Sequence, residues 1–180
     1  MSMKSMVVAL LSFALGSSAF AMCQREAHPY DNPAGRMDSS MQTLAHQTGC
    51  PIDFDLNIAP RRQVRAIRGN FTPTEALSRT LQGTGWEAHE TAQGLAVNRQ
   101  DQLRVLTQVF ALKQQVKWAV EDGLFTRTRG LLLTHQLEQT QTSVQEVARS
   151  QGFVSAAEMA SYQRTINEVK MVVGNFIPLN

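Results

Sequence analysis

The chain contains 180 residues with a net charge of +2, and 43% of its residues are hydrophobic while 18% are charged. A net charge this small excludes broad electrostatic binding of nucleic acid or anionic lipid as the main activity. The hydrophobic content is that of a globular protein rather than a disordered one. The length allows one moderate core or two small ones.

The N-terminal segment has the three parts of a secretory signal peptide. Lys4 supplies a positive charge, residues 6–16 are almost wholly apolar, and Ala19-Phe20-Ala21 has the small-x-small pattern that signal peptidase reads. The apolar stretch is too short for a stable transmembrane anchor, although a retained anchor is the alternative. We therefore expect residues 1–21 to be cleaved and the mature protein to be periplasmic, with a peripheral association with the outer membrane left open.

Cys23 and Cys50 are the two cysteines of the chain. Disulfides persist in an oxidising compartment, so these two residues are a candidate bridge, with two unpaired thiols as the alternative. Cys23 also stands close to the predicted cleavage site, where a lipoprotein carries its lipid. Phe20-Ala21-Met22 lacks the small residue expected just before a lipidated cysteine, so lipidation is a minor option.

A helix-then-strand pattern occurs twice in the first half of the chain. Apolar residues four apart predict one helical face, and a following glycine predicts the left-handed residue that ends the helix. The matching positions are Met41, Ala45 and Gly49 in the first copy and Leu77, Leu81 and Gly85 in the second. Strand-like segments follow each glycine, and Thr72-Pro73-Thr74-Glu75 predicts a capping box at the second helix.

With further strands at Val64–Arg68 and residues 95–98, the predicted order is strand, helix, strand, strand, helix, strand, strand. The fold class that we expect is α+β, as a small two-helix, two-sheet module followed by a mostly helical C-terminal region.

Several short motifs in this region resemble one known family. They are Tyr30-Asp31-Asn32-Pro33-Ala34, Phe54-Asp55, Gly69-Asn70-Phe71-Thr72-Pro73 and Gly83-Thr84-Gly85. In order and spacing, residues 28–99 resemble the secretin and TonB N-terminal short (STN) domain. The resemblance implies a periplasmic α+β module with two β-α-β units, whose two helices lie between two small sheets. The sequence departs from the family at Asn32, where an apolar strand residue is usual.

The resemblance also implies a class of function. STN domains occur at the periplasmic end of secretin channels and at the N-terminus of TonB-dependent receptors, where they signal to an inner-membrane anti-sigma regulator. They bind proteins and catalyse nothing. We therefore expect an STN-like module at residues 22–99 that serves protein–protein interaction in a cell-envelope transport, secretion or TonB-linked signalling system. Its partner would be a secretin, a TonB-dependent receptor or an anti-sigma regulator.

The second half, residues 100–180, is predicted to form a helical domain. Apolar spacing predicts helices over residues 101–117 and 128–139, a third that Ser143 caps and Gly152 ends, and a fourth that Ser155 opens.

A segment of this half, residues 143–164, resembles the second helix-turn-helix of AraC-type transcription regulators. The resemblance rests on Ser143-Val144, Glu146-Val147-Ala148, Gly152-Phe153, Ser155, Met159 and Tyr162. The face that would read DNA offers Ala156, Ala157, Glu158 and Ser161 rather than side chains that bond base edges. We expect a helical hairpin that binds no nucleic acid. A transcription regulator is the alternative if the N-terminal segment is not a cleaved signal.

Residues that carry catalytic or metal chemistry are not grouped in the sequence. The histidines, His28, His46, His89 and His135, include no pair at metal-ligand spacing, and HExxH and CxxC motifs are absent. Asp53 and Asp55 would share one side of a strand, as a cation site or, more simply, as its solvated face. We expect no catalytic residue, no metal site and no cofactor.

Arg61, Arg62, Arg65 and Arg68 form a basic cluster in and before the predicted strand Val64–Arg68. Arginine is favoured at interfaces because its planar fork pairs with carboxylates, so the cluster is a candidate binding site for an acidic partner. On a regular strand, Arg62 and Arg68 would share one side and Arg65 would take the other. The alternative is a charged edge strand that prevents sheet-to-sheet aggregation.

Overall fold

The computed structural model describes Cys23, residues 25–57 and residues 61–175. The predicted signal peptide lies outside these residues. The fold class is α+β with a helical C-terminal region, as predicted. The strands are β1 (His28–Asn32), β2 (Gly35–Arg36), β3 (Ile52–Phe54), β4 (Gln63–Val64), β5 (Ile67–Phe71), β6 (Glu87–Glu90) and β7 (Leu95–Asn98). The helices are α1 (Met37–Thr48), α2 (Pro73–Leu81), α3 (Gln100–Glu121), α4 (Arg127–Gln151) and α5 (Ala156–Gly174).

Strands β1 and β2 form one interrupted antiparallel ladder with β5 and β4. His28 lies opposite Phe71 and Gly35 lies opposite Val64, so a single register runs through both pairs. The interruption falls at Pro33, which has no N–H group to donate to a ladder. The prediction of one continuous strand over Val64–Arg68 is therefore wrong. Val64 and Ile67 are both buried although they are three residues apart, which a regular strand does not allow.

The second sheet contains β3, β7 and β6 in that order, with β3 parallel and β6 antiparallel to β7. Each helix of the repeat leads into this sheet, α1 into β3 and α2 into β6. Gly49 ends α1 with a left-handed φ of 66°, as predicted. Gly85 has a left-handed φ of 74°, but α2 ends at Leu81 with Gln82 as its C-cap, so the prediction that Gly85 ends this helix is wrong. The capping box of α2 is confirmed, because the Glu75 amide donates to the Thr72 hydroxyl and the Glu75 carboxylate accepts from the Thr72 amide.

Buried apolar residues in the described part of the chain form two clusters. The first lies between the small sheets and helices α1 and α2, and includes Met37, Met41, Leu77 and Leu81. The second holds α3, α4 and α5 together and includes Val105, Leu137 and Ile166. We refer to residues 23–99 as the module and to residues 100–175 as the helical half.

Helix α4 runs unbroken from Arg127 to Gln151, so the predicted break before Ser143 and its role as a helix cap are wrong. Residues 131–151 contain neither glycine nor proline, and polar side chains are accommodated within the helix. The Thr140 hydroxyl donates to the carbonyl of Gln136 at 3.0 Å, and the Ser143 hydroxyl lies 3.1 Å from that of Tyr162. Ser155 does cap α5 as predicted. None of the helices in the described residues is long and apolar enough to cross a bilayer.

Cys23 and Cys50 are joined by a disulfide, with their Cα atoms 4.5 Å apart. Cys50 is fully buried in the core of the module, directly after the glycine that ends α1. The bridge therefore fastens the start of the described chain to that core. A sulfur in a disulfide cannot also carry a thioether-linked lipid, so Cys23 cannot be lipidated while this bridge is formed.

We predict that replacing Cys23 with serine lowers the free energy of unfolding by about 3.5 kcal/mol, since the sequence separation of 27 residues sets the chain entropy that the bridge removes from the unfolded state. Urea unfolding with and without reductant measures the effect. The wild type in dithiothreitol should approach the variant. A variant as stable as the oxidised wild type would show that the bridge contributes nothing.

Candidate functional site

The structure separates the four arginines of the basic cluster by their partners. Arg65 donates to the side-chain oxygen of Gln82 at 3.1 Å, and Arg68 pairs with Asp31 of β1 at 2.9 Å. The Arg68 and Asp31 side chains are 82% and 72% exposed, and ion pairs of that kind contribute little stability. Arg68 can therefore exchange Asp31 for another carboxylate at small cost.

Arg61 and Arg62 are exposed, and neither side chain has a hydrogen bond or ion pair with any residue that the structure describes. Their backbone is nevertheless fixed, because the Met37 amide donates to the carbonyl of Arg62 at 2.9 Å. The cluster thus contains two arginines with side-chain partners, Arg65 and Arg68, and two exposed arginines without them, Arg61 and Arg62. The predicted sharing of sides along a regular strand does not hold, because β4 and β5 are separate strands.

A second polar site lies where the module meets the helical half, and sequence reasoning missed it. The turn between α4 and α5 packs against α2 and β6. There the Ala88 amide donates to the carbonyl of Gly152 at 2.8 Å, and the Gly83 amide donates to that of Arg149 at 2.7 Å. The first of these bonds lies on the outer edge of β6, which would otherwise present an unpaired backbone amide there. We call this region the joint.

Glu87 is the central side chain of the joint. It is completely buried, and its two carboxylate oxygens accept from the amides of Gln102 at 2.9 Å and of Asp101 at 3.0 Å. Helix α3 has no side-chain cap from its own N-cap residue, Arg99. A glutamate from a distant strand therefore occupies the position of a capping residue and carries the negative charge that a helix N-terminus favours.

The surroundings of Glu87 keep it ionised. Burial alone would raise the pKa of the Glu87 carboxyl, but hydrogen bonds from His89 and from the amides of Gln102 and Asp101 outweigh burial and hold the pKa below its ordinary value of 4.5. Gln102, itself buried, also donates its side-chain amide to the carbonyl of Gly85 at 2.8 Å. The joint is therefore a polar network that connects the two parts of the chain.

His89 and Asp101 complete the joint on its solvent side. His89 Nε2 lies 3.2 Å from Glu87 Oε2, and His89 Nδ1 lies 3.8 Å from Asp101 Oδ2. Spacing could not reveal this cluster, because the β6–β7 hairpin is needed to bring Asp101 back to His89. The local signal was the start of α3, where Arg99 provides no side-chain cap and Asn98 accepts only from the amide of Gln100, so the next amides need a partner from elsewhere.

The other candidates from the sequence remain apart from these two sites. Asp53 is exposed between half-buried Ile52 and Phe54, and the Asp55 side chain accepts from the amide of Asn57 at 2.8 Å. This arrangement is a solvated strand face and a turn. The turn of the hairpin that resembles a helix-turn-helix is part of the joint, because Gly152 is buried against the module.

No family model and no curated protein matches the chain. Among solved structures, the ferripyoverdine receptor of the outer membrane of Pseudomonas aeruginosa, bound to ferripyoverdine, aligns with 41% of this chain at 19% identity and a TM-score of 0.39. The alignment covers 10% of the receptor, so this chain spans a small part of that protein's length. The match is too short and too divergent to assign a fold or a function.

Proposed function

We propose that the protein is an exported, non-enzymatic interaction module of the cell envelope, which binds an acidic surface of a partner protein through Arg61 and Arg62. The observation that carries the proposal is this exposed pair of guanidinium groups without side-chain partners among the described residues. Arginine forks pair with carboxylates in two parallel hydrogen bonds, and such pairs give interfaces both affinity and orientation.

Two further features support this function. The Cys23–Cys50 disulfide fits a chain that works in an oxidising compartment such as the periplasm. The anchored backbone at Arg62 gives the arginine pair a fixed position, and binding groups on rigid elements lose less conformational entropy when they engage a partner.

The class of partner follows from the STN resemblance of residues 28–99. It would be a secretin, a TonB-dependent receptor or an anti-sigma regulator that exposes an acidic patch to the periplasm. The protein would then serve a transport, secretion or TonB-linked signalling system, and it would need no cofactor for that role.

We predict that the double variant Arg61→Glu and Arg62→Glu recovers such a partner from detergent-solubilised envelopes about tenfold less well than the wild type, because like charges at an interface repel. The measurement is affinity capture of the mature, disulfide-bonded protein, with partners identified and quantified by mass spectrometry. A matched control reverses two exposed arginines of the helical half, Arg104→Glu and Arg164→Glu. Equal loss in both variants, or no loss in either, would exclude the arginine pair as the binding site.

A further inference from the structure

Three side chains of metal-ligating type meet at the joint, and helix capping requires only one of them. The ligand atoms of Glu87, His89 and Asp101 all lie within 4.8 Å of one another. Glu87 caps α3 together with Asn98, whose side-chain oxygen accepts from the Gln100 amide, so the cap requires neither His89 nor Asp101. We propose that this cluster binds a divalent transition-metal ion, with Zn²⁺ the best match, and that the ion links strand β6 of the module to helix α3 of the helical half.

The distance between two of the ligands suits a tetrahedral ion. Ligands about 2.1 Å from a tetrahedral Zn²⁺ are about 3.4 Å from one another. His89 Nε2 and Glu87 Oε2 are 3.2 Å apart, so an ion fits between these two ligands with little movement. Asp101 Oδ2 lies 3.8 Å from the other ring nitrogen, Nδ1, so this carboxylate has to turn toward Nε2 to complete the site. Its side chain is 21% exposed, at the solvent side of the cluster, where such a movement meets little resistance.

The local charge also favours a cation. Two carboxylates contribute two negative charges, against roughly half a positive charge from the N-terminus of α3. Arg99, which precedes α3, donates to the side-chain oxygen of Gln102 at 2.9 Å. Even with the charge of Arg99 included, the cluster keeps an excess of negative charge for an ion to neutralise.

Backbone amides hold one ligand of the cluster in place, and one side of the cluster is open to solvent. Glu87 is held in place by two backbone amides, which is the orienting role that outer hydrogen bonds play at metal sites. His89 is 20% exposed, so the solvent side leaves room for a water molecule as the fourth ligand.

Isothermal titration of ZnCl₂ into the mature, disulfide-bonded protein, stripped with a chelator, tests the site. We expect one ion per chain in the wild type and in His135→Ala, which removes an exposed histidine from α4. His89→Ala and Asp101→Asn leave the Glu87 cap in place, and each should weaken binding at least tenfold. The thermal midpoint should rise with Zn²⁺ in the wild type and much less in these two variants.

Two results would overturn the proposal. One is the absence of saturable binding at one ion per chain in the wild type. The other is unchanged affinity in both His89→Ala and Asp101→Asn, which would place any bound ion elsewhere. Circular dichroism confirms that each variant is folded, and because either variant suffices, the failure of one to fold does not prevent the test. The outcome is independent of the arginine pair and of the partner proposed for it.

Discussion

Replacing Gly152 with alanine is expected to lower the free energy of unfolding by about 3 kcal/mol or more. Gly152 has a left-handed φ of 78°, which costs an alanine about 1 kcal/mol. An added Cβ would also overlap the carbonyl oxygen of Ser78. That oxygen belongs to the backbone of α2 and cannot move aside, so the α4–α5 turn must shift and lose its hydrogen bonds to Ala88 and Gly83.

Gly123→Ala is the matched control for this prediction. Gly123 has a similar φ of 73°, but its added Cβ would meet no atom within 4 Å. It should therefore show the backbone cost alone, about 1 kcal/mol. Urea unfolding followed by circular dichroism gives both values. If the two variants lose the same stability, the joint does not depend on close packing at Gly152.

Replacing Glu87 with alanine is expected to destabilise the protein by about 2 to 3 kcal/mol at neutral pH. The change leaves the buried amides of Asp101 and Gln102 without an acceptor and removes the negative charge from the N-terminus of α3. Glu87→Gln keeps the shape and one acceptor oxygen, so it should lose less. Glu168→Gln, at an exposed position on α5, is the control and should change stability by no more than about 0.5 kcal/mol.

The pH dependence separates the charge of Glu87 from its shape. Because the pKa of Glu87 is lower in the folded protein than its ordinary value of 4.5, the folded state favours the carboxylate. This contribution is complete above pH 4.5 and is lost as the pH falls through the lowered value. The stability difference between wild type and Glu87→Gln should therefore be largest near neutral pH and shrink in acid. A constant difference from pH 7 to pH 3 would contradict an ionised, charge-stabilised Glu87.

The elements of the module could be predicted where the signal was local. Apolar spacing located α1 and α2, and a left-handed glycine marked the end of α1. Thr72 and Glu75 marked the start of α2 through contacts within one turn. The break between β4 and β5 could not be placed, because it is set by Pro33 on the opposite strand. A distant contact also explains the wrong prediction in α4. The sequence around Ser143 predicts a helix cap, but its hydroxyl lies next to that of Tyr162 on another helix.

The joint could not be predicted from local sequence either, because its residues come together only in the fold. Glu87, Gln102 and Gly152 belong to three separate segments, and each has an ordinary neighbourhood in the sequence. Glu87 lies in a short polar stretch that predicts an exposed strand, yet it is fully buried because α3 supplies two amides to its carboxylate. A buried carboxylate of this kind becomes predictable only when the helix that it caps is known to lie beside it.

Site-specific photo-cross-linking in intact cells tests most directly whether this is an envelope interaction protein. A benzophenone amino acid in place of Arg61, next to an intact Arg62, would capture whatever contacts the arginine pair, and mass spectrometry would identify the adduct. We predict an adduct with a periplasm-exposed secretin, TonB-dependent receptor or anti-sigma regulator, which is lost when the photoreactive residue is moved to Arg164 on α5. Adducts only with cytoplasmic proteins or DNA, or no adduct at all, would contradict it.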